Sequence, residues 1–329
     1  MAIFETGQFP INLIGDQAQT LLLKPVFFDA EIEELFDVMV FVNKKQKIGY
    51  VGLLENILAT ANGCGWNPKG NMSLFDRCIE TELVKGDVEL CFDEFKDTVY
   101  KQLLKKGSQM DDIQGTIFMD LLLTRLVQAV KKQALLVAFF GDKASANTDV
   151  NIADGMWSVY IPQLVANNLV PYINSNSGTP LGAGDGIDLL NAVYDNATNV
   201  LSAVPEGDKV MIVSANVYRQ YLKDLQNNGI SSNMHLDLQM NGKSSLLFNG
   251  IEVKPMYDWQ GYASSYQGIN DANYVLYTER KNLVMGTDIE SPLTQFVSWF
   301  DTTEEKYKAK IKFYMGFNYK HNDLITVAY

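Results

Sequence analysis

From Tyr307 the chain alternates with period two: Tyr307, Ala309, Ile311, Phe313, Met315, Phe317 and Tyr319 are separated by Lys308, Lys310 and Lys312, with Lys306 just before. Such alternation predicts a strand with an apolar face and a lysine ladder on the other. "FVSWF" (296–300) precedes it across "DTTEEK" and is its expected antiparallel partner. A second hairpin is signalled by "LLFNGIEVKP" (246–255), because Asn249-Gly250 tolerates the positive φ angles of a type I′ turn. Asp111–Phe140 follows the helical period instead. It has no proline and one early glycine, Gly115, and apolar residues recur at Ile113, Ile117, Leu121, Leu122, Leu126, Ala129, Val130 and Leu136. This is the longest predicted element, a spine helix ended by Gly141.

Shorter elements surround it. "GDKVMIVSANVYRQYLKDLQNNG" (207–229) reads as a strand running into a helix, with Ser214 able to cap the helix and Val217, Tyr221, Leu222 and Leu225 on its apolar side. Ile187 to Val204 reads as one helix through Ile187, Leu190, Tyr194, Ala197 and Leu201. Asp29 to about Val42 reads as another, with Ile32, Leu35, Phe36, Met39 and Val40 inward and Glu31, Glu33 and Glu34 at its positive end. Residues 1–28 are apolar but broken by Pro10, Gly15 and Pro25, as in an extended arm lying against something. Lys44 to Asp97, punctuated by "NGCGWNPKGN" and "KGD", suggests long hairpins, and Phe95, Val99 and Leu103 suggest a short closing helix.

Composition narrows the function classes. In 329 residues, 47% are hydrophobic, enough for a large core, and the net charge is −12. That acidity argues against broad nucleic-acid binding, which needs a basic face. The three cysteines, Cys64, Cys78 and Cys91, are too few and too widely spaced for a disulfide framework or a zinc site. "MAIFETGQFP" lacks the pattern of a signal peptide, and the longest apolar run, "ALLVAFF", is too short for a membrane span. The expectation is a soluble protein of a reducing compartment.

Candidate chemistry is sparse. His235 and His321 have no ligand-type neighbour at helix or strand spacing. "GAGDG" (182–186) precedes a helix and could suggest a phosphate loop, but no Lys-Ser/Thr follows, and Leu189 stands where the dinucleotide fingerprint wants glycine. There is no G-x-S-x-G and no H-E-x-x-H, so no catalytic, cofactor or metal residue is assigned. Charge placement says more. Asp76, Glu80, Glu82, Asp87, Glu89, Asp93, Glu94 and Asp97 face only Arg77, Lys85 and Lys96 within one stretch, whereas the terminal strand is lysine-rich. Two solvated faces would explain this. So would complementary contacts between copies, with Glu80 and Glu82 on one side and Lys306, Lys308, Lys310 and Lys312 on the other.

The order of elements resembles the major capsid proteins of tailed bacteriophages, the α+β Hong Kong 97-type fold. The residues that carry the resemblance are "MDLLLTRLVQAVKKQALLVAFFGDK" as spine helix, "GDKVMIVSANVYRQYLKDL" and "FNGIEVKPM" in the axial domain, and "WFDTTEEKYKAKIKFYMGFNY" in the peripheral sheet. The resemblance implies an N-terminal arm and helix at 1–43, an extended loop at 44–107, a peripheral domain at 108–184 closed by the hairpin at 291–329, and an axial domain at 185–290. It also implies a non-enzymatic, cofactor-free subunit that assembles as hexamers and pentamers into an icosahedral shell around double-stranded DNA. Portal, scaffold and accessory capsid proteins would be its partners, the virion capsid its location, and the host cytoplasm its place of assembly. No coiled-coil leader precedes the arm, which implies a separate scaffold protein or none, and no cross-linking residue can be carried over. An encapsulin-like compartment and a nucleotide-binding α/β enzyme are the alternatives.

Overall fold

The computed structural model describes residues 11–14, 30–40, 42, 44–51, 74–91, 117–227, 236–238, 244–288, 295–301, 303–304 and 306–329. The chain begins with β1 (Ile11–Ile14), α1 (Ala30–Leu35) and β2 (Phe36–Met39). Next come β3 (Lys45–Val51), β4 (Leu74–Glu80) and β5 (Glu82–Cys91), then the long helix α2 (Ile117–Phe140), α3 (Ile161–Ala166) and β6 (Tyr172–Ile173). The middle of the chain forms α4 (Asp185–Asp195), α5 (Asn199–Ala203), β7 (Lys209–Ser214), α6 (Ala215–Asn227), β8 (Leu236–Leu238), β9 (Ser244–Phe248), β10 (Ile251–Met256) and α7 (Trp259–Tyr262). Five strands complete it: β11 (Val275–Glu279), β12 (Leu283–Gly286), β13 (Gln295–Asp301), β14 (Lys306–Tyr319) and, after a short turn, β15 (Ile325–Ala328).

Among the described residues, three sheets result. A seven-stranded sheet runs β6-β15-β11-β7-β10-β9-β8, a six-stranded sheet runs β1-β13-β14-β12-β2 with β5 also on β14, and β3 and β4 form a separate two-stranded ladder. The run Lys209–Ser214 is buried at every position because its sheet is covered on both faces. Val210 and Ile212 enter a large core shared with α2 and the six-stranded sheet, whereas Met211 and Val213 enter a second core under α4, α5 and α6. Val217, Tyr221 and Leu225 are buried in that second core, with Leu222 packed against it, as the helical spacing indicates.

Several sequence expectations hold. Asn249 and Gly250 both have positive φ, 50° and 82°, and join β9 to β10. β13 and β14 pair antiparallel from Gln295↔Lys312 to Asp301↔Lys306. The spine helix ends at Phe140; a Cβ on Gly141 would overlap the Ala153 carbonyl, so the chain can turn there only without a side chain. Leu126 packs against the large core, but Ala129 is exposed rather than inward. Residues 111–116, the side chain of Leu122, and the helix expected around Phe95, Val99 and Leu103 lie outside the described residues.

Other expectations are corrected. The helix expected from Asp29 to Val42 stops at Leu35, and Phe36–Met39 instead pairs parallel with β12. Phe36 enters the large core while Met39 packs on a small one formed by Val42, Ile48, Ile79 and Val284, so two opposite faces are buried and period two prevails. The helix expected from Ile187 to Val204 breaks into α4 and α5. The Asn196 side chain donates to the Ala192 carbonyl at 2.7 Å, and the Thr198 hydroxyl accepts from the Leu201 amide at 3.1 Å. Short polar side chains that bond the backbone compete with helix continuation. Strands distant in sequence also pair: β12 lies beside β14, and β15 lies between β6 and β11.

Candidate assembly surface and the glycine loop

The lysine ladder stands on the outer half of β14, flanked by β13 and β5. Register places Lys308 between Trp299 and Glu89, Lys310 between Val297 and Asp87, and Lys312 between Gln295 and Lys85. The acidic stretch and the lysines therefore meet within one chain. Lys306 binds Glu89 at 3.1 Å, and Lys308 binds Asp301 at 2.8 Å and Glu304 at 2.9 Å. These carboxylates hold the Lys308 ammonium above its ordinary pKa, and the Lys308 hydrogen bond holds Asp301 below its own. Asp301 and Glu304 belong to the "DTTEEK" turn, whose acids just before a lysine run were the overlooked sequence signal. Asp87 pairs with Lys85 on its own strand. Among the described residues, Lys310 and Lys312 carry no ion pair. A groove of about 370 Å³ runs over this face, lined by Asp87, Val88, Glu89, Trp299, Lys308, Ala309 and Lys310.

Glu80 and Glu82 sit elsewhere, at the root of the β3–β4 ladder. Glu80 pairs with Lys45 at 2.6 Å, which lowers its carboxyl pKa and raises that of the lysine, and Glu82 pairs with Lys143 at 2.9 Å. The structure thus brings neither glutamate to the four ladder lysines. Thr81 between them is buried, its hydroxyl donating to the Val42 carbonyl at 3.1 Å and its amide to the Lys44 carbonyl at 2.9 Å. Here the ladder lies on the inner half of β14. A Cβ at Gly316 would overlap the Glu80 carbonyl, Asn318 donates to the Cys78 carbonyl at 2.7 Å, and the Arg77 guanidinium stacks 3.8 Å above the Tyr319 ring.

The glycine loop is filled from within. The buried Asp224 carboxylate accepts from the amides of Gly184 at 2.9 Å and Gly186 at 3.0 Å, and from the Gln220 side chain at 2.7 Å. Asp185 accepts from the Gly182 amide at 2.6 Å. Amides that a phosphate would need are thus occupied by the protein's own acids. Asp224 was not singled out from sequence, because it lies 38 residues beyond Gly186 and only the packing of α4 on α6 joins them. Among the described residues no group of three or more His, Cys, Asp or Glu side chains is placed to hold a metal ion, and no helix is long and apolar enough to cross a membrane. Half-buried His321 has its pKa lowered by burial. His235 and Cys64 lie outside the described residues, and Cys78 and Cys91 are free thiols.

No family model matches the sequence, and no curated protein matches it. Solved structures do. The chain is similar to a subunit of the satellite phage P4 procapsid including size determination (Sid) protein, with TM-score 0.60 at 14% identity over 94% of this chain and 89% of that one. It is similar to the Cyanophage Pam1 capsid, with TM-score 0.53 at 10% identity over 90% and 88% of the two chains. It is also similar to the holo-SrpI encapsulin complex from Synechococcus elongatus PCC 7942, with TM-score 0.50 at 9% identity over 89% and 84%. These likenesses show the fold: the α+β architecture is the Hong Kong 97-type fold of tailed-phage capsid proteins, and the structural neighbours are shell subunits.

Proposed function

We propose that this protein is the major capsid protein of a tailed bacteriophage, assembling as hexamers and pentamers into the icosahedral shell around a double-stranded DNA genome. The observation that carries this reading is the whole-chain likeness to the P4 procapsid subunit, over 94% of the chain. The protein acts by shape, without cofactor or catalysis. Portal, scaffold and accessory proteins are its partners, the virion capsid is its location, and it assembles in the host cytoplasm. In this reading residues 1–43 are the arm, 44–107 the extended loop, 108–184 with 291–329 the peripheral domain, and 185–290 the axial domain. Asp224 filling the glycine loop favours a structural role over a nucleotide-binding enzyme.

Electron microscopy of the purified protein tests the class: closed shells are expected, and a persistent monomer rejects it. Particle contents separate phage from compartment, since nuclease-protected DNA fits the first and enclosed enzyme fits the encapsulin alternative. Glu80, Glu82, Lys306, Lys308, Lys310 and Lys312 are proposed to contribute to contacts between copies. Because Lys306 and Lys308 also bind within their own chain, Lys310→Glu with Lys312→Glu is the cleaner probe. Exposed pairs contribute only ~0.2–1 kcal/mol each, so the effect is read as salt-labile assembly repeated over many interfaces. Normal shells from this variant at low salt would leave the ladder a solvated face.

A further inference from the structure

Several strand edges stand open among the described residues, and two of them, on β5 and β3, complement each other. β5 pairs only with β14, and β3 only with β4. β5 is ten residues long and exposes Leu83 and Val88, 46% and 40% accessible. An open edge of that length is a template for another strand. The two edges differ in charge: β3 carries exposed Lys45 and Lys47, two residues apart, and β5 carries exposed Asp87 and Glu89 at the same spacing. We propose that β3 of one copy adds antiparallel to the free edge of β5 in a second copy, with Lys45 opposite Glu89 and Lys47 opposite Asp87.

The register follows from residue type. It places Gly49 opposite Lys85 and Val51 opposite Leu83 on one face, and Gln46 opposite Val88 and Ile48 opposite Gly86 on the other. No like charges meet. A parallel pairing that matches the same charges, Lys45 with Asp87 and Lys47 with Glu89, reaches the end of β5 at Cys91 opposite Gly49, whereas the antiparallel register keeps the whole of β3 beside β5. Glu89 and Asp87 keep capacity for a second cation while bound to Lys306 and Lys85, because an ionised carboxylate has about four acceptor sites. The contact is heterologous, a different surface from each copy, and such contacts build rings and lattices. The inference rests on the shell reading and names the partner of its extended loop.

Mixing two charge-reversed chains tests it. Lys45→Glu with Lys47→Glu makes one chain; Asp87→Lys with Glu89→Lys makes the other. Each alone is expected to lose most of its sedimentable assembly at low ionic strength. Mixed, the reversed β3 of one meets the reversed β5 of the other and native meets native, so assemblies containing both chains should return. Damage confined to the in-chain pairs Lys45–Glu80 and Lys306–Glu89 would not be rescued by mixing. Hydrogen exchange supplies the second readout: residues 45–51 and 82–91 should both gain amide protection in wild-type shells over dissociated subunits. Normal assembly of either variant alone, a mixture no better than its components, or wild-type shells without that protection overturn the pairing alone. A wild-type chain that never assembles overturns the shell reading and the pairing with it.

Discussion

Asp224 shows how one side chain can decide what a loop is for. Its carboxylate is 2% exposed and accepts two glycine amides and the Gln220 side chain. Asp224→Ala leaves two amides without a partner, and an orphaned buried donor costs ~1–3 kcal/mol. A urea titration of the unassembled subunit should show a midpoint lowered accordingly, and added nucleotide should not restore it; stabilisation by nucleotide would revive the phosphate-loop reading. Gly316 makes the opposite point through an absent side chain. Its missing Cβ admits the Glu80 carbonyl, which is backbone and cannot rotate aside. Gly316→Ala is expected to destabilise the subunit by ~1–3 kcal/mol, the usual range for overpacking. Gly207→Ala, which meets nothing within 4 Å, is the neutral control. Equal melting temperatures for the two variants would refute the close approach.

Among the elements, β14 carries two environments along one strand. Lys306 to Lys312 presents its charged side half-buried beside β5 and β13, whereas Gly316 and Asn318 on that same side lie under the root of the β3–β4 ladder. A strand solvated at one end and covered at the other cantilevers the ladder from a fixed base. The α4–α5 break is a smaller junction of the same kind. Thr198 accepts from the Leu201 amide, and its hydroxyl donates to the Asp323 carbonyl beside β15. Thr198→Ala removes both bonds and should cost about 1 kcal/mol as a lost N-cap. Calorimetry of the unassembled subunit would detect it, and an unchanged transition would show that the cap contributes nothing. The helix α1 is fastened by charge: Glu34 pairs with Lys254 and with Arg280, and Arg280 also binds Glu252 at 2.5 Å.

Across the whole molecule, the two large sheets share one core and trade strands. The last strand, β15, leaves the neighbourhood of β14 and enters the seven-stranded sheet between β6 and β11. Ile325 and Val327 fill the large core while Leu324 and Ala328 fill the second, so the C-terminus ties both together. Deleting residues 322–329 is therefore expected to abolish the cooperative thermal transition and the near-UV circular dichroism. Among the described residues, deleting residues 1–24 removes the edge strand β1, which covers Gln295–Ser298 of β13. It should leave far-UV circular dichroism nearly intact yet prevent shells. Reversed outcomes would mean that the arm, not the C-terminus, holds the subunit together.

Local pattern was sufficient wherever one period ran unopposed. The Asn249-Gly250 turn, the β7–α6 unit, the spine helix to Phe140 and the β13–β14 hairpin were legible because backbone preference and one-sided burial agreed there. Residues 36–39 were not. Their apolar spacing fits a short helix as well as a strand, and only the open edge of β12 decided between them. The lysine ladder was visible as a pattern, but its neighbours were not, since pairing Lys306 with Glu89 joins residues 217 apart. Asp224 likewise reads as one more surface acid until α4 packs on α6. Sequence fixes which residues want burial or charge compensation; which distant group supplies it depends on chain closure, a property no local window contains.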